Sequence, residues 1–398
     1  MKLVKKIYTF ITAAACCAAI SGIMPFSSSA EESVKTYGDL SYVSSDSDGD
    51  RIYDYIAIID CNESVTKIEI PAEIEDIPVV EIESSAFNGC ANLTSIIIPD
   101  SITSIGDFAF ENCSGLTSIT IPDSVTSIGD HAFYNCSSLT SITVSENNKY
   151  FSSLNGVLFN KDKTELITYP IGNERTEYTI PDSVTSIGNF IFYNCSSLTS
   201  ITIPDSVASI GNSAFYNCSS LTNIKLPDVI DIISGNTFRD CSSLLNIIIP
   251  DSVTAIKECA FYNCSNLTSI TIPDSVASIE NSAFYNCTSL KSITLNNPDC
   301  EISNDKDTIP ETAVICGYEN STAQAYAERY YKRFVAIEDI GDISGNGKID
   351  LYDAIEIAKA IMGMRTFTEE EKLIADFNKD VTVDLYDAIE IARTLLPK

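Results

Sequence analysis

Residues 116–136 read Leu116-Thr-Ser-Ile-Thr-Ile-Pro-Asp-Ser-Val-Thr-Ser-Ile-Gly-Asp-His-Ala-Phe-Tyr-Asn-Cys136, and this stretch decides the fold. It recurs with few changes in four later copies, at 198–218, 221–241, 244–264 and 267–287. In each copy apolar and polar residues alternate over a short strand, which a Pro-Asp turn then ends. One unit cannot bury its own apolar residues, so successive units must stack with their strands roughly 4.7–4.9 Å apart. The repeat therefore predicts a solenoid.

The cysteine spacing argues against a disulfide framework. Eight of the 14 cysteines occupy one position of the repeat: Cys90, Cys113, Cys136, Cys195, Cys218, Cys241, Cys264 and Cys287. Identical positions in stacked coils cannot pair with one another without disrupting the stack, so we interpret these residues as small buried hydrophobic side chains. The state of Cys61, Cys259, Cys300 and Cys316 stays open, and Cys300–Cys316 is the one disulfide that the sequence suggests.

The unit resembles the leucine-rich repeats of the BspA-like, treponemal type, which read Leu-x-x-Ile-x-Ile-Pro-x-x-Val-x-x-Ile-Gly-x-x-Ala-Phe-x-x-Cys. This resemblance implies a β-rich solenoid with one short parallel strand and short helical turns in each coil. The repeats are assigned to 82–315, with an inserted hairpin near 150–169 where the regular spacing is lost. Because an open solenoid end would expose the core, we expect an N-terminal β cap over 31–81 and a C-terminal cap over 316–338.

The first 30 residues have the pattern of a secretory signal peptide. A basic start is followed by an apolar stretch over 7–20 and by small residues up to Ala30, after which we expect cleavage. An uncleaved anchor is the alternative, but this stretch is short for the span of about 20 residues that a bilayer needs. No later segment is apolar enough to cross a membrane. The sequence predicts a secreted, extracellular or cell-surface protein without membrane insertion after cleavage.

Charge limits the partners of the mature chain. Removal of 1–30 leaves 22 basic and 55 acidic side chains, a net charge of −33. Nucleic acids and anionic lipid surfaces are polyanions that bind clusters of Lys and Arg, so the sequence argues against both. Divalent cations are the ligands that such a charge favours.

Residues that recur every 23 positions must form ladders on the solenoid surface. An acidic ladder follows the repeated proline and comprises Asp100, Asp123, Asp182, Asp205, Asp228, Asp251 and Asp274. Carboxylates in a row suit Ca²⁺, but each aspartate can also cap backbone N–H groups of its own turn, which is the interpretation we favour.

A second ladder is aromatic and comprises Tyr134, Tyr193, Tyr216, Tyr262 and Tyr285. Glu111 and Arg239 interrupt it at the equivalent positions of two other repeats. Aromatic faces can stack on sugar rings or anchor a protein partner. Rings at repeat spacing can also simply cover the neighbouring coil, and we favour this packing role. The outward strand positions are almost all Ser or Thr and identify no ligand.

An Asp-rich run near the N-terminus contains Asp46, Asp48, Asp50 and Asp54. Its oxygen ligands at alternate positions are those of a Ca²⁺ loop. A polar hairpin turn explains the run equally well, and we favour the turn.

Two segments beyond Gly341 have similar sequences and start 34 residues apart. Hard cations take roughly six to eight oxygen ligands, and a twelve-residue loop presents them at fixed positions. In the first loop these are Asp342, Ser344, Asn346, the Lys348 carbonyl, Asp350 and Asp353. In the second loop they are Asp376, Asn378, Asp380, the Thr382 carbonyl, Asp384 and Asp387. We expect one Ca²⁺ in each loop.

Each loop runs into a helix, predicted over 354–362 and 388–396, and the octapeptide Leu-Tyr-Asp-Ala-Ile-Glu-Ile-Ala occurs at 351–358 and 385–392. Two such units, with Asp at the last loop position, resemble a type I-like dockerin, here assigned to 339–398. The resemblance implies a scaffoldin cohesin as partner, contacted by Leu351, Tyr352, Lys359, Leu385, Tyr386 and Arg393. Because the halves are nearly identical, two alternative docking faces are expected.

The second loop departs from the first at one position. Val381 stands where the first loop has Gly347, and a β-branched residue disfavours the positive φ of a sharp turn. The second loop has four carboxylates and the first has three, so charge and geometry act in opposite directions.

Catalysis needs groups that this chain barely supplies. His131 is its one histidine, and neither a phosphate-binding loop nor a nucleophile motif is present. We therefore expect a secreted, non-catalytic binding or adhesion protein, attached by its dockerin to a cellulosome scaffold and associated with plant polysaccharide degradation. The repeats would bind a polysaccharide or a cell-surface protein. A structural spacer of the assembly is the alternative, and a polysaccharide-active enzyme is a weaker one.

Overall fold

The structure is a computed structural model that describes residues 33–47, 52–337, 340–344, 348–377 and 382–395. The predicted signal peptide lies outside the described residues. So do Asp48 and Asp50 of the Asp-rich run.

The N-terminal part contains six strands: β1 (Lys35–Tyr37), β2 (Leu40–Ser45), β3 (Tyr55–Cys61), β4 (Lys67–Glu69), β5 (Glu73–Ile74) and β6 (Ile77–Ile82). The repeats add short strands: β7 (Ser95–Ile97), β8 (Ser104–Ile105), β9 (Ser118–Ile121), β10 (Ser127–Ile128), β11 (Ser141–Val144), β12 (Phe151–Leu154), β13 (Val157–Asn160), β14 (Glu165–Thr168), β15 (Glu177–Thr179), β16 (Ser186–Ile187), β17 (Ser200–Thr202), β18 (Ser209–Ile210), β19 (Asn223–Lys225), β20 (Ile232–Ile233), β21 (Ala255–Ile256), β22 (Ser269–Ile272), β23 (Ser278–Ile279), β24 (Ser292–Leu295) and β25 (Glu301–Ile302). The C-terminal part contains β26 (Val314–Gly317), α1 (Thr322–Arg329), β27 (Phe334–Ala336), α2 (Leu351–Ile361), α3 (Glu369–Ala375) and α4 (Leu385–Thr394).

The predicted solenoid is confirmed, with about 12 turns. In most coils the strand that starts the repeat pairs in parallel with its copy one coil away, as Ser118 does with Ser141 and Ile119 with Ile142. We call these strands the front ladder: β4 with β7, β9 with β11, β15 with β17 and β19, and β22 with β24, β26 and β27. Ile119 is 2% exposed and points into the core, while its neighbours Ser118 and Thr120 face solvent.

Each repeat also contains a second strand, which the sequence analysis missed. A pair of residues, Ser-Ile in most repeats, forms a two-residue parallel strand, so that Ser127 pairs with Ser104 and Ile128 with Ile105. The glycine after this pair allows the backbones of adjacent coils to approach closely. A Cβ at Gly129 would lie only 2.4 Å from the Asp107 nitrogen of the preceding coil. The solenoid therefore has two strand ladders, where the repeat pattern predicted one strand per coil.

The two ends and the insertion differ from the regular coils. At the N-terminus, antiparallel β1, β2 and β3 continue through β6 into the second ladder. The insertion holds the antiparallel pair β13 and β14, together with β12, which the sequence analysis did not identify. At the C-terminus, α1 connects β26 to β27 along the chain, and these two strands pair in parallel.

Stacked phenylalanines fill the core. Phe215, Phe238, Phe261 and Phe284 lie in successive coils with ring centroids 5.3 to 5.5 Å apart and nearly parallel planes. Each of these four rings is 0% exposed. Tyr169 occupies this column at the insertion, where its centroid lies 5.0 Å from that of Phe192.

The eight repeat cysteines are buried thiols, as predicted. In most coils the thiol also donates a hydrogen bond, as from Cys264 Sγ to the Phe238 carbonyl at 3.1 Å. Burial raises the pKa of Cys136 to about 12. The suggested Cys300–Cys316 disulfide is absent, because Cys300 is a free thiol enclosed by the core. Burial raises its pKa to about 12 as well.

The C-terminal helices begin earlier than predicted. Asp350 caps α2 by accepting from Tyr352 N, and Asp384 caps α4 in the same way through Tyr386 N. The Leu-Tyr pairs therefore lie in the first helical turns and not in the loops. Helix α3 was missed, although Thr368 and Glu371 carry the Thr-x-x-Glu signature of a capping box.

Removal of one ring from the phenylalanine column tests the core. Phe261→Ala leaves a cavity between two coils, and we expect it to lower the free energy of unfolding by about 3–5 kcal/mol, measured by urea denaturation. Tyr331 is 97% exposed, so Tyr331→Ala, the aromatic control, should change stability by less than about 0.5 kcal/mol. Equal effects of the two substitutions would contradict this packing.

Candidate functional site

Four of the predicted ligands of the first loop, Asp342, Ser344, Asp350 and Asp353, are joined by hydrogen bonds. Asp353 is 0% exposed, and its two carboxylate oxygens accept from Ser344 N at 2.9 Å and from Asp350 N at 2.7 Å. Ser344 Oγ lies 3.1 Å from Asp342 Oδ1. The start and the end of the loop are thereby held together, with buried carboxylates at both positions.

The second loop repeats this arrangement at its helical end. Asp387 is 0% exposed and accepts from Asp384 N at 2.9 Å, while Asp384 accepts from Tyr386 N at 2.7 Å. Asp376 follows α3 directly and caps its C-terminal end. The duplicated sequence therefore forms duplicated local geometry.

The middle of each loop falls outside the described residues, and with it Asn346, Gly347, Asn378, Asp380 and Val381. Over the described ranges, no three acidic, histidine or cysteine side chains converge on one point. The described candidate ligands are nevertheless carboxylate and hydroxyl oxygens, which are the chemical types that a hard cation prefers.

The predicted cohesin contacts stand out from the surface. Leu351 and Tyr352 are 59% and 71% exposed, and Leu385 and Tyr386 are 58% and 65% exposed. Large apolar side chains held in the first turn of a helix by a capping box are ordered and accessible. Two equivalent apolar pairs are thus available to a partner.

The predicted basic contacts form matching ion pairs. Lys359 Nζ lies 2.6 Å from Glu356 Oε1, and Arg393 pairs with Glu390 at the same helical spacing. Hydrogen bonds from Lys359 and Arg365 lower the pKa of Glu356. Arg365 also bonds Glu371 and so links α2 to α3, a contact with no equivalent after α4 among the described residues.

Residues 59–175, 171–291 and 233–306 match the BspA type leucine-rich repeat region. The chain belongs to this family. Residues 340–396 match the dockerin type I domain, whose members bind calcium and a cohesin partner. Both domains are non-catalytic in kind and are typical of extracellular or cell-surface proteins. Across the described ranges, every helix is too short or too polar to span a bilayer.

Comparison with solved structures finds one with the same fold. The pneumococcal vaccine antigen PcpA aligns over 77% of this chain and 98% of its own, with 21% identity and a TM-score of 0.58. A leucine rich cell surface protein from Faecalibacterium prausnitzii aligns over 72% and 97%, with 25% identity and a TM-score of 0.48. No curated protein matches the sequence.

The tyrosine ladder of the BspA type repeats is not broken at Arg239. The guanidinium carbon of Arg239 lies 5.6 Å from the Tyr216 ring centroid and 4.2 Å from that of Tyr262, so a cation fills the gap between two rings. Tyr193 and Tyr216 stack at 5.0 Å, as do Tyr262 and Tyr285 at 4.7 Å. The ring faces therefore cover one another, which agrees with the favoured packing role.

The acidic ladder does not cap its own turns among the described hydrogen bonds. Asp123 accepts from Asn147 of the next coil at 3.2 Å, and Asp205 lies 3.8 Å from Lys225. The turn is closed by other groups: Val125 N donates to the Pro122 carbonyl, and the hydroxyl of the adjacent serine donates to the preceding coil. The described hydrogen bonds therefore do not support the capping interpretation, because these aspartates contact the next coil and Val125 N bonds the Pro122 carbonyl instead.

An asparagine ladder escaped the sequence analysis. Asn286 donates to Asn263 at 2.7 Å and Asn263 to Asp240 at 2.6 Å, each from one coil to the preceding one. Asn263 has a φ of 59°, a left-handed conformation that Asn tolerates. The Asn-Cys pair that ends most repeats was the available signal.

The N-terminal Asp-rich run is described in part, and its described residues Ser47 and Asp54 are joined by hydrogen bonds. Asp54 Oδ2 accepts from both Ser47 N at 2.7 Å and Ser47 Oγ at 2.5 Å. These hydrogen bonds lower the pKa of Asp54. The described part thus has the form of the favoured hairpin turn between β2 and β3.

Proposed function

We propose that this protein is a secreted, non-catalytic binding protein that attaches to a cellulosome scaffold through a calcium-dependent dockerin–cohesin contact. The observation that carries the proposal is the duplicated Leu-Tyr pair, exposed at the start of α2 and again at the start of α4. Its place in such an assembly would associate it with plant polysaccharide degradation. Its own repeat domain would bind a partner and would not catalyse a reaction.

Each dockerin loop would hold one Ca²⁺. In the first loop the ligands would be Asp342, Ser344, Asn346, the Lys348 carbonyl, Asp350 and Asp353. In the second they would be Asp376, Asn378, Asp380, the Thr382 carbonyl, Asp384 and Asp387. A bound cation supplies positive charge to loops whose carboxylates repel one another, which favours the closed loop in which the helix caps form.

Calcium stoichiometry tests the two-loop assignment. We expect titration calorimetry to measure two Ca²⁺ per wild-type chain and one per chain for Asp353→Ala or Asp387→Ala, since each substitution removes a ligand from one loop. Asp123→Ala, which removes a carboxylate from the acidic ladder, should keep both ions. One ion per wild-type chain would disprove the second site.

The two apolar pairs would serve as alternative docking faces, related by the pseudo-symmetry of α2 and α4. Lys359 and Arg393 lie at equivalent helix positions, each beside its own glutamate. A cohesin that recognises one face would recognise the other after a half turn of the dockerin. The face left unused would stay open to solvent.

Paired substitutions test the dual mode. Leu351→Ala with Tyr352→Ala should weaken binding to a type I cohesin by only about twofold, because the second face remains; Leu385→Ala with Tyr386→Ala should behave alike. The fourfold variant should lose about 1,000-fold or more in affinity, since central anchors each contribute about 2 kcal/mol. Loss of binding in either double variant alone, measured by surface plasmon resonance, would rule out two faces.

The repeat domain has two candidate roles. The preferred one is recognition of a polysaccharide or a cell-surface protein, because its exposed hydroxyl face extends over many coils. A structural spacer is the second, and one observation favours it: the tyrosine faces that could stack on sugar rings are occupied by neighbouring rings and by Arg239.

A binding survey with the mature chain separates the two roles. If the repeats recognise a ligand, a glycan array or a pull-down from cell-surface extracts should retain a partner after cohesin sites are saturated. The fourfold Leu-Tyr variant is the matched control, because it should keep that partner while losing cohesin. Absence of any ligand in both assays would favour the spacer.

A further inference from the structure

The outward positions of the front ladder change character at the end of the solenoid. In regular coils these positions carry exposed polar residues, as at Ser118 and Thr120. In β26 the register places Val314 opposite Ser292 and Cys316 opposite Thr294. The last two strands thus replace hydroxyls with apolar side chains on the face that is elsewhere open to water.

These apolar positions are buried and do not belong to the solenoid core. Val314, Cys316 and Val335 are 1%, 3% and 4% exposed and form a cluster of their own. Ile315, between the first two, points the other way and packs in the main core. Something outside the coil must therefore cover Val314 and Cys316.

The cover is helix α3 of the dockerin, together with Ile337, which directly follows β27. Leu373 and Ile374 pack against the Val314, Cys316 and Val335 cluster. The Gly341 amide, just after the end of the solenoid, donates to the Ile374 carbonyl at 2.7 Å. The side chains of Leu373 and Ile374 thus tie α3 to the last coils, while the hydrogen bond from Gly341 to Ile374 holds the start of the dockerin against its own α3.

We propose that the dockerin docks on the flank of the last two solenoid strands through α3, so that the two domains form one unit. The partner of this apolar patch is the chain's own α3. The patch lies on the last strands before the dockerin in the same chain, and this covalent linkage gives the contact a high effective concentration.

Apolar residues at outward positions elsewhere provide a contrast. Ile97 and Ile248 also stand on the front ladder side, yet they are 55% and 85% exposed. Burial of Val314 and Cys316 is therefore not a general property of outward apolar residues. It arises from the contact with α3.

This contact leaves the predicted cohesin faces free. Leu351, Tyr352, Leu385 and Tyr386 keep their exposure while Leu373 is engaged. The dockerin therefore divides its surface, with α3 for the solenoid and the starts of α2 and α4 for a partner. A bound cohesin would hold the solenoid at a fixed angle and not on a flexible tether.

Thiol accessibility tests the contact, because Cys316 lies under α3 while Cys287 lies in the solenoid core. The readout is the rate of N-ethylmaleimide modification of Cys316 relative to Cys287, measured by mass spectrometry of the full mature chain in Ca²⁺. We expect Leu373→Glu to raise this ratio at least tenfold over wild type. Leu395→Glu, at an exposed dockerin position away from the patch, should leave it unchanged.

A substitution on the solenoid side controls for the possibility that Leu373→Glu acts by misfolding the dockerin. Val335→Ser should also raise the ratio, although the dockerin sequence is intact. An unchanged ratio in both Leu373→Glu and Val335→Ser would overturn the proposal. Cohesin affinity should stay within about twofold of wild type in Leu373→Glu, so failure of this contact is distinguishable from failure of the docking function.

Discussion

The structure depends on the stacking of identical side chains at a spacing of one coil. Phenylalanine rings in successive coils lie about 5.3 Å apart, a distance set by the strand pairing that holds the coils together. The thiol of Cys264, the amide of Asn263 and the ring of Tyr262 each meet a partner in the preceding or following coil. One sequence unit thereby generates the core and every surface ladder at once.

Strict repetition constrains what the surface can do. A ladder satisfies its members with one another, so Asn263 and Tyr262 have little left for a ligand. Departures from the repeat are more informative. Arg239 replaces a tyrosine and turns stacking into a cation–π contact, and Val314 replaces a serine where another domain arrives. Specific contacts arise where the repeat is broken.

Near the C-terminus, aspartates occupy the start and the end of two loops of similar sequence. Asp353 and Asp387 are fully buried, and each accepts a backbone amide at the start of its helix. The carboxylate that would bind a cation is thus the same group that caps the helix. In the proposed calcium-bound form, cation binding, helix formation and presentation of the adjacent Leu-Tyr pair would be coupled through this one side chain.

The sequence by itself determined the solenoid, the buried cysteines and the duplicated loops, because residues 116–136 and 351–358 carry their information locally and repeat it. The second strand ladder, the insertion of Arg239 between two rings and the coverage of Val314 by α3 were decided only by tertiary structure. Each depends on which groups meet across coils or domains. Such contacts cannot be predicted from the spacing of residues along the chain, because an exposed valine and a covered valine have the same local sequence pattern.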